Sequence, residues 1–211
     1  MNVIGLQSIV HSGLLAAALA GAAHADDASP VSKQEIQAKL AYCEQCHGSS
    51  ARGFRGYYPM PRLAGQQPEY LKTQLQAFAE HRRKNNIMFN VSRVLSPAMT
   101  AALAAMFSDL NPTPLAGAPT ELIASGKRIF EEGVPDANVP PCSPCHGSEA
   151  KGKGESPSLA GQLFDYTASK LMNWDKDWDP TDLDTSAMQS IARGLTEAQI
   201  KSVAAYLSEL E

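Results

Sequence analysis

Aromatic residues make up only 7% of this chain, and histidine is limited to five positions and cysteine to four. With so few rings, two domains of roughly 90 residues each would have thin cores that a bound group must help to fill. No basic run or aromatic-basic stripe of the kind that grips nucleic acid is present, which excludes that class of partner. Alternating polar and apolar runs are missing, so nothing predicts a sheet. No stretch after the first 25 residues is long and apolar enough to span a bilayer. What is present is 211 residues with 44% apolar content, enough for a folded core and too much for wholesale disorder.

Residues 1–25 read as a secretory signal. Val3 to Val10 and Leu14 to Ala20 are mostly apolar, and Ala23-His24-Ala25 gives the small-x-small cleavage pattern, with Asp26 as the expected mature start. Gln7, Ser8, His11 and Ser12 break the apolar run, which argues against a spanning helix. No Lys or Arg precedes the run, an atypical feature. The sequence therefore predicts export.

The remainder repeats itself once. Cys43-Glu44-Gln45-Cys46-His47-Gly48 returns as Cys142-Ser143-Pro144-Cys145-His146-Gly147. Pro61-Arg62-Leu63-Ala64-Gly65-Gln66 returns as Pro157-Ser158-Leu159-Ala160-Gly161-Gln162, and Tyr70 returns as Tyr166. Met88 followed by Leu95-Ser96 returns as Met188 followed by Leu195-Thr196. Blocks that recur in the same order indicate duplication of one unit, and two copies make tandem domains rather than a solenoid. The division is placed at 26–110, a linker at 111–119 and 120–211, because Pro112, Pro114, Pro119 and Gly117 make a semi-rigid link.

Each unit reads as helical. Ser32 with Glu35 forms a capping-box pattern before a helix that runs toward Cys43, and Thr120 to Glu131 plays that part in the second unit. Tyr70–Glu80 and Tyr166–Trp174 are second helices, with Leu71, Leu75 and Phe78 on one face of the first. Ser96 and Thr196 cap final helices over Pro97–Asp109 and Glu197–Glu209. The segments carrying Met88 and Met188 read as long loops.

All four cysteines lie in Cys-x-x-Cys-His motifs, the attachment signature of c-type haem. Two thiols three residues apart on one turn can form thioethers with both vinyl groups of a porphyrin. The adjoining histidine then lies under the ring and can bind iron axially, its other nitrogen held by a backbone carbonyl to fix tautomer and ring plane. The other readings are weaker. A thioredoxin-like site would leave the histidine after each pair unexplained. A four-cysteine zinc site would need pairs that lie in different repeats. Cys-x-x-Cys disulfides close small loops and stabilise little. The cysteine chemistry thus predicts two covalently bound haem c groups on Cys43, Cys46, Cys142 and Cys145, with His47 and His146 as axial ligands.

The sixth ligands are predicted to be Met88 and Met188, which hold matching places in the two repeats. Met60, Met99, Met106 and Met172 have no methionine counterpart, and a lone helical methionine such as Met99 is more often core packing than ligand. His81 is the one histidine left outside the signal and the motifs. It reads as a surface residue at a helix end, with a distal-ligand role in place of Met88 as the alternative.

In combination these blocks resemble class I cytochromes c, and two such units after a signal resemble the diheme cytochrome c4 family. The resemblance covers nearly all of the chain after residue 25. It implies an all-α protein of two tandem class I cytochrome c domains joined by a short Pro-rich linker. It implies that the carbonyls of Pro61 and Pro157 hold His47 and His146. It further implies periplasmic electron delivery toward a terminal oxidase. The family packs a glycine of the first helix against an aromatic of the last. The second unit keeps Gly126 and Tyr206, whereas the first has Ile36 and Met106, which predicts a looser crossing there. The methionine segment of the second unit is also enlarged by Trp174-Asp175-Lys176-Asp177-Trp178-Asp179.

Six-coordinate iron leaves no place for substrate, so the expected function is electron transfer rather than catalysis. A neutral methionine favours ferrous iron and raises the potential. An enzyme such as a peroxidase or thiosulfate dehydrogenase would need an open axial position with acid-base residues beside it, and only the isolated His81 stands outside the motifs. An electron-accepting subunit of a periplasmic dehydrogenase fits the same residues, as does peripheral membrane association through partners. Charge is uneven: residues 26–115 hold 10 Lys and Arg against 7 Asp and Glu, and residues 116–211 hold 8 against 15. Such a dipole predicts different redox partners for the two domains.

Overall fold

The computed structural model describes Met1, residues 30–179 and residues 186–211. The segment expected to be a signal, apart from Met1, lies outside the described residues, as do Asp182 and Asp184. Ten α-helices and a few 3-10 turns make up the described architecture, and its only β contacts are isolated bridges. No single helix among the described residues is long and apolar enough to cross a membrane.

Local chemistry sets the helix starts. In α1 (Lys33–His47), the Ser32 N–H donates to the Glu35 carboxylate at 2.8 Å while the Glu35 N–H donates to the Ser32 hydroxyl. This satisfies two donors that a helix start otherwise leaves open. α2 (Pro68–Ala79) and α4 (Pro97–Asp109) begin with proline, whose fixed φ suits a first turn, and Ser96 caps α4. In the second half, a 3-10 turn at Thr120–Leu122 leads into α5 (Ile123–Glu132). α6 is Ser143–His146, α7 Phe164–Met172, α8 Trp174–Asp177, α9 Ser186–Gly194 and α10 Glu197–Ser208. Thr196 and Gln199 form a capping box at the start of α10.

The methionine segments differ from the reading as loops. Met88 lies on the short helix α3 (Asn86–Ser92), and Met188 lies on α9. Asn85 causes the first: its side-chain oxygen accepts the N–H groups of Ile87 at 3.1 Å and Met88 at 2.9 Å, a strong N-cap.

Helix crossing differs between the halves, as Gly126 and Ile36 predict. A β-carbon on Gly126 of α5 would sit 2.0 Å from the Ser202 carbonyl oxygen of α10 and 2.9 Å from the Tyr206 β-carbon. Only glycine allows that approach. α10 is correspondingly buried along Ile200, Val203, Ala204 and Leu207, while in α1 only His47 is buried. The first core gathers Ala51, Leu71, Leu103, Ala104 and Phe107. The second gathers Val139, Ala168, Leu195, Ile200 and Ala204 beside Phe130, Ala150, Val203 and Leu207.

The halves meet face to face. The Lys84 N–H donates to the Asp177 carbonyl at 2.7 Å and the Asp179 N–H to the Arg82 carbonyl at 2.8 Å, which pairs Arg83 with Trp178 in an antiparallel bridge. The Trp174–Asp179 enlargement is therefore not loose loop: it holds α8 and a strap across to the first half. Residues 111–117 carry no helix, and the Leu115 carbonyl accepts from the Arg55 guanidinium at 2.9 Å.

Candidate haem sites

Cys43 and Cys46 stand three residues apart on the last turns of α1, so both thiols share one face. Cys142 opens α6 and Cys145 lies within it. No disulfide joins any of the four; Cys46 and Cys145 are exposed, and Cys43 and Cys142 are half-buried. Burial pushes the Cys43 thiol above its ordinary range, and Cys142 up to about 11 with Cys145 adding to the effect.

His47 and His146 end their helices and are 8% and 7% exposed. The His47 Nδ1–H donates to the Pro61 carbonyl at 2.9 Å, and the His146 Nδ1–H to the Pro157 carbonyl at 3.0 Å. Burial holds both imidazoles below their ordinary pKa, opposed in part by those carbonyls. Both rings are thus neutral near pH 7, with Nε2 left as the nitrogen for a metal.

One turn, built twice, brings each proline beneath its histidine. Gly48 (φ 78°) follows His47, and a β-carbon there would lie 2.3 Å from the Gly53 carbonyl oxygen. The Gly53 N–H returns to the His47 carbonyl at 2.8 Å, and the Gly152 N–H to that of His146 at 2.8 Å. Ala51 and Ala150 are fully buried in the left-handed region, at φ 53° and 56°. Each carbonyl accepts two N–H groups: Leu63 and Ala64 on Ala51, Leu159 and Ala160 on Ala150. These alanines escaped sequence reasoning because alanine carries no turn signal. Their shared offset from the motifs was the clue.

The methionines occupy several environments, and Met60 is half-buried. Met99 packs against the first core, whereas Met106 and Met172 are exposed. Met88 and Met188 are half-buried. His81 is exposed at the end of α2 and stacks on Phe89, with ring centroids 3.9 Å apart.

Several donors are buried without a partner among the described residues: Arg62 Nη1, Arg83 Nε and Trp174 Nε1. Arg83 also donates to Gln74 and, across the halves, to the Tyr166 hydroxyl at 2.9 Å, and its guanidinium lies over the Phe78 and Trp178 rings. Burial alone would lower its pKa, but Tyr166 and Tyr70 more than offset this, so it stays charged. Buried cations with open N–H groups call for anionic acceptors, and haem carries two carboxylates. Thiols and a neutral histidine fit a c-type haem in each half, and in the first half the orphaned donors of Arg62 and Arg83 add to that fit.

The sequence pattern of the cytochrome c family matches residues 123–211. The chain is 35% identical to the cytochrome c4 of Acidithiobacillus ferrooxidans, whose structure superposes with a TM-score of 0.69 over 81% of this chain and 99% of that one. It belongs to the diheme cytochrome c4 family. It is also 38% identical to a cytochrome c-552 of Acidithiobacillus ferridurans over 80% of this chain and 73% of that protein. A "thiosulfate dehydrogenase electron acceptor" of Thiomonas intermedia is 36% identical over 86% of this chain and 84% of its own. The fold is accordingly two tandem class I cytochrome c domains, each with a covalent haem c, and the protein is an electron carrier that works with other redox proteins.

Proposed function

We propose that this cytochrome c4 is a periplasmic carrier in which His47 and Met88 bind one iron and His146 and Met188 the other. Its domains are 26–110 and 120–211 with a linker at 111–119, following a signal over residues 1–25. Haem supplies the one-electron couple. The chain's own residues supply attachment, axial ligands, a buried surround and the lock on each imidazole plane. The observation that carries the reading is the pair of histidine–proline hydrogen bonds, at 2.9 and 3.0 Å, which recur at matching places in the repeat. Such a lock minimises geometric change between oxidation states and keeps transfer fast.

The donor in this reading is a periplasmic dehydrogenase and the acceptor a terminal oxidase. The Thiomonas relative's name supports a donor that oxidises a reduced sulfur compound. Part of the acidic charge of the second domain is used internally: Asp175 pairs with Arg193 at 2.8 Å and Asp177 with Lys170 at 2.6 Å.

The ligand assignment is tested by single substitutions. Met88→Ala and Met188→Ala are each expected to remove half of the far-red methionine–iron absorption band, and Met99→Ala none. Loss of the band in Met99→Ala with retention in Met88→Ala would put the wrong methionine on the first iron.

A further inference from the structure

The two proximal locks are not separate. The peptide unit joining Pro61 to Arg62 accepts from His47 at its carbonyl and donates from its N–H to the Gln162 side-chain oxygen at 2.8 Å. Gln162 belongs to the other domain. Its amide nitrogen closes the clamp by donating to the Arg62 carbonyl at 3.0 Å. The same arrangement runs in reverse. The Pro157–Ser158 peptide accepts from His146, and its N–H donates to the Gln66 oxygen at 2.7 Å, while the Gln66 amide donates to the Ser158 carbonyl at 2.9 Å. Gln66 and Gln162 are repeat counterparts, 5% and 7% exposed. Each side-chain oxygen is further fixed by its neighbour's N–H, from Gln67 at 2.9 Å and Leu163 at 3.0 Å.

We infer that Gln66 and Gln162 are positioning residues that tune, each across the domain interface, the haem iron of the opposite domain. This rests on His47 and His146 being the axial ligands. The argument is one of polarisation. A hydrogen bond donated by a peptide N–H enriches the electron density of the same peptide's carbonyl oxygen, and such chains strengthen one another in a low-dielectric interior. A stronger acceptor at Pro61 draws the His47 Nδ1 proton more firmly, which makes the imidazole a better donor to iron. Better donation stabilises ferric over ferrous iron. Removing Gln162 therefore favours the ferrous state at the iron on His47, in a domain to which Gln162 does not belong. Removing Gln66 does so at the iron on His146.

The reciprocal clamp also explains a feature that docking alone leaves open. Two buried amides would hold the domains together wherever they found backbone partners. Here both take the one peptide in each domain whose carbonyl holds the ligand histidine. Reduction at one iron and the strength of the interface are then linked through the same bonds.

The test uses the holoprotein with Gln162→Met and Gln66→Met, which keep side-chain volume and remove the two hydrogen bonds each glutamine makes across the interface along with the local one to its neighbour's N–H. Redox titration followed by NMR reads each haem separately, together with the histidine Nδ1–H resonances in the reduced state. In Gln162→Met the iron on His47 is expected to shift about threefold toward ferrous at fixed ambient potential, about 28 mV at 59 mV per tenfold change. Its Nδ1–H resonance moves upfield as the bond weakens, and the iron on His146 changes far less. Gln66→Met gives the mirror result. Equal shifts at both irons, a shift confined to the mutated residue's own domain, or no shift at either would overturn the inference. Wild-type spectra without two iron-bound histidines would instead overturn the ligand assignment on which it rests.

Discussion

Gly126→Ala is expected to destabilise the second domain by about 3 kcal/mol, at the upper end of the usual cost of overpacking a close contact. The added β-carbon meets the Ser202 carbonyl oxygen at 2.0 Å, and a backbone oxygen in the middle of α10 cannot rotate away as a side chain would. α5 must withdraw, and withdrawal uncovers Phe130, Val203 and Leu207, which pack together beneath the crossing. For a small domain whose whole stability is roughly 5–15 kcal/mol, that loss is a large share. Ile36→Ala, at the counterpart position, removes a half-buried side chain from a helix in which only His47 is buried, and should cost less than about 1.5 kcal/mol. Calorimetry of both variants checks the contrast. Equal losses would mean that the two crossings bear equal weight.

Replacing Cys43, Cys46, Cys142 and Cys145 together with alanine should abolish cooperative folding. Without haem, the first domain closes over a cluster of only five buried residues, two of them alanines. The buried charges of Arg62 and Arg83 keep nitrogens without acceptors, and each uncompensated buried group costs on the order of 1–3 kcal/mol. The clamped peptides face histidines that no longer hold metal. Deleting residues 1–25 should give the same outcome by another route, because an unexported chain does not meet haem and the attachment machinery. The check is far-UV circular dichroism against temperature for both variants beside the holoprotein. A sharp transition near the holoprotein's in either variant would show that the polypeptide core suffices alone.

Much of this molecule was legible locally. Ser32 and Glu35 are neighbours in sequence, and their capping box forms as read; Thr196 caps α10 as read, and the structure adds Gln199 as its capping-box partner. Pro97 starts α4, and the closing residue Asp109 is also as read. The close crossing at Gly126 was expected from the family resemblance, which pairs a glycine of the first helix with an aromatic of the last, here Tyr206. The missed features depend on partners far along the chain. Arg62 and Gln162 stand a hundred residues apart, and nothing in the Pro-x-Leu-Ala-Gly-Gln block says that its last residue reaches into the other copy. The Trp174–Asp179 insertion read as loop because its strap exists only by pairing with Arg82–Lys84. α3 was readable in principle: Asn85 is a strong cap, but the expectation of a methionine loop outweighed it.

The central claim is that two irons are each held by one histidine and one methionine in a molecule that stores and passes single electrons. The most direct measurement is the proton NMR spectrum of the fully reduced protein, with haem content determined on the same sample. The account predicts two haems per chain and two ring-current-shifted methionine methyl signals of equal intensity, lost one at a time in Met88→Ala and Met188→Ala. A single methionine signal, or a haem that binds added carbon monoxide without displacing a ligand, would contradict it.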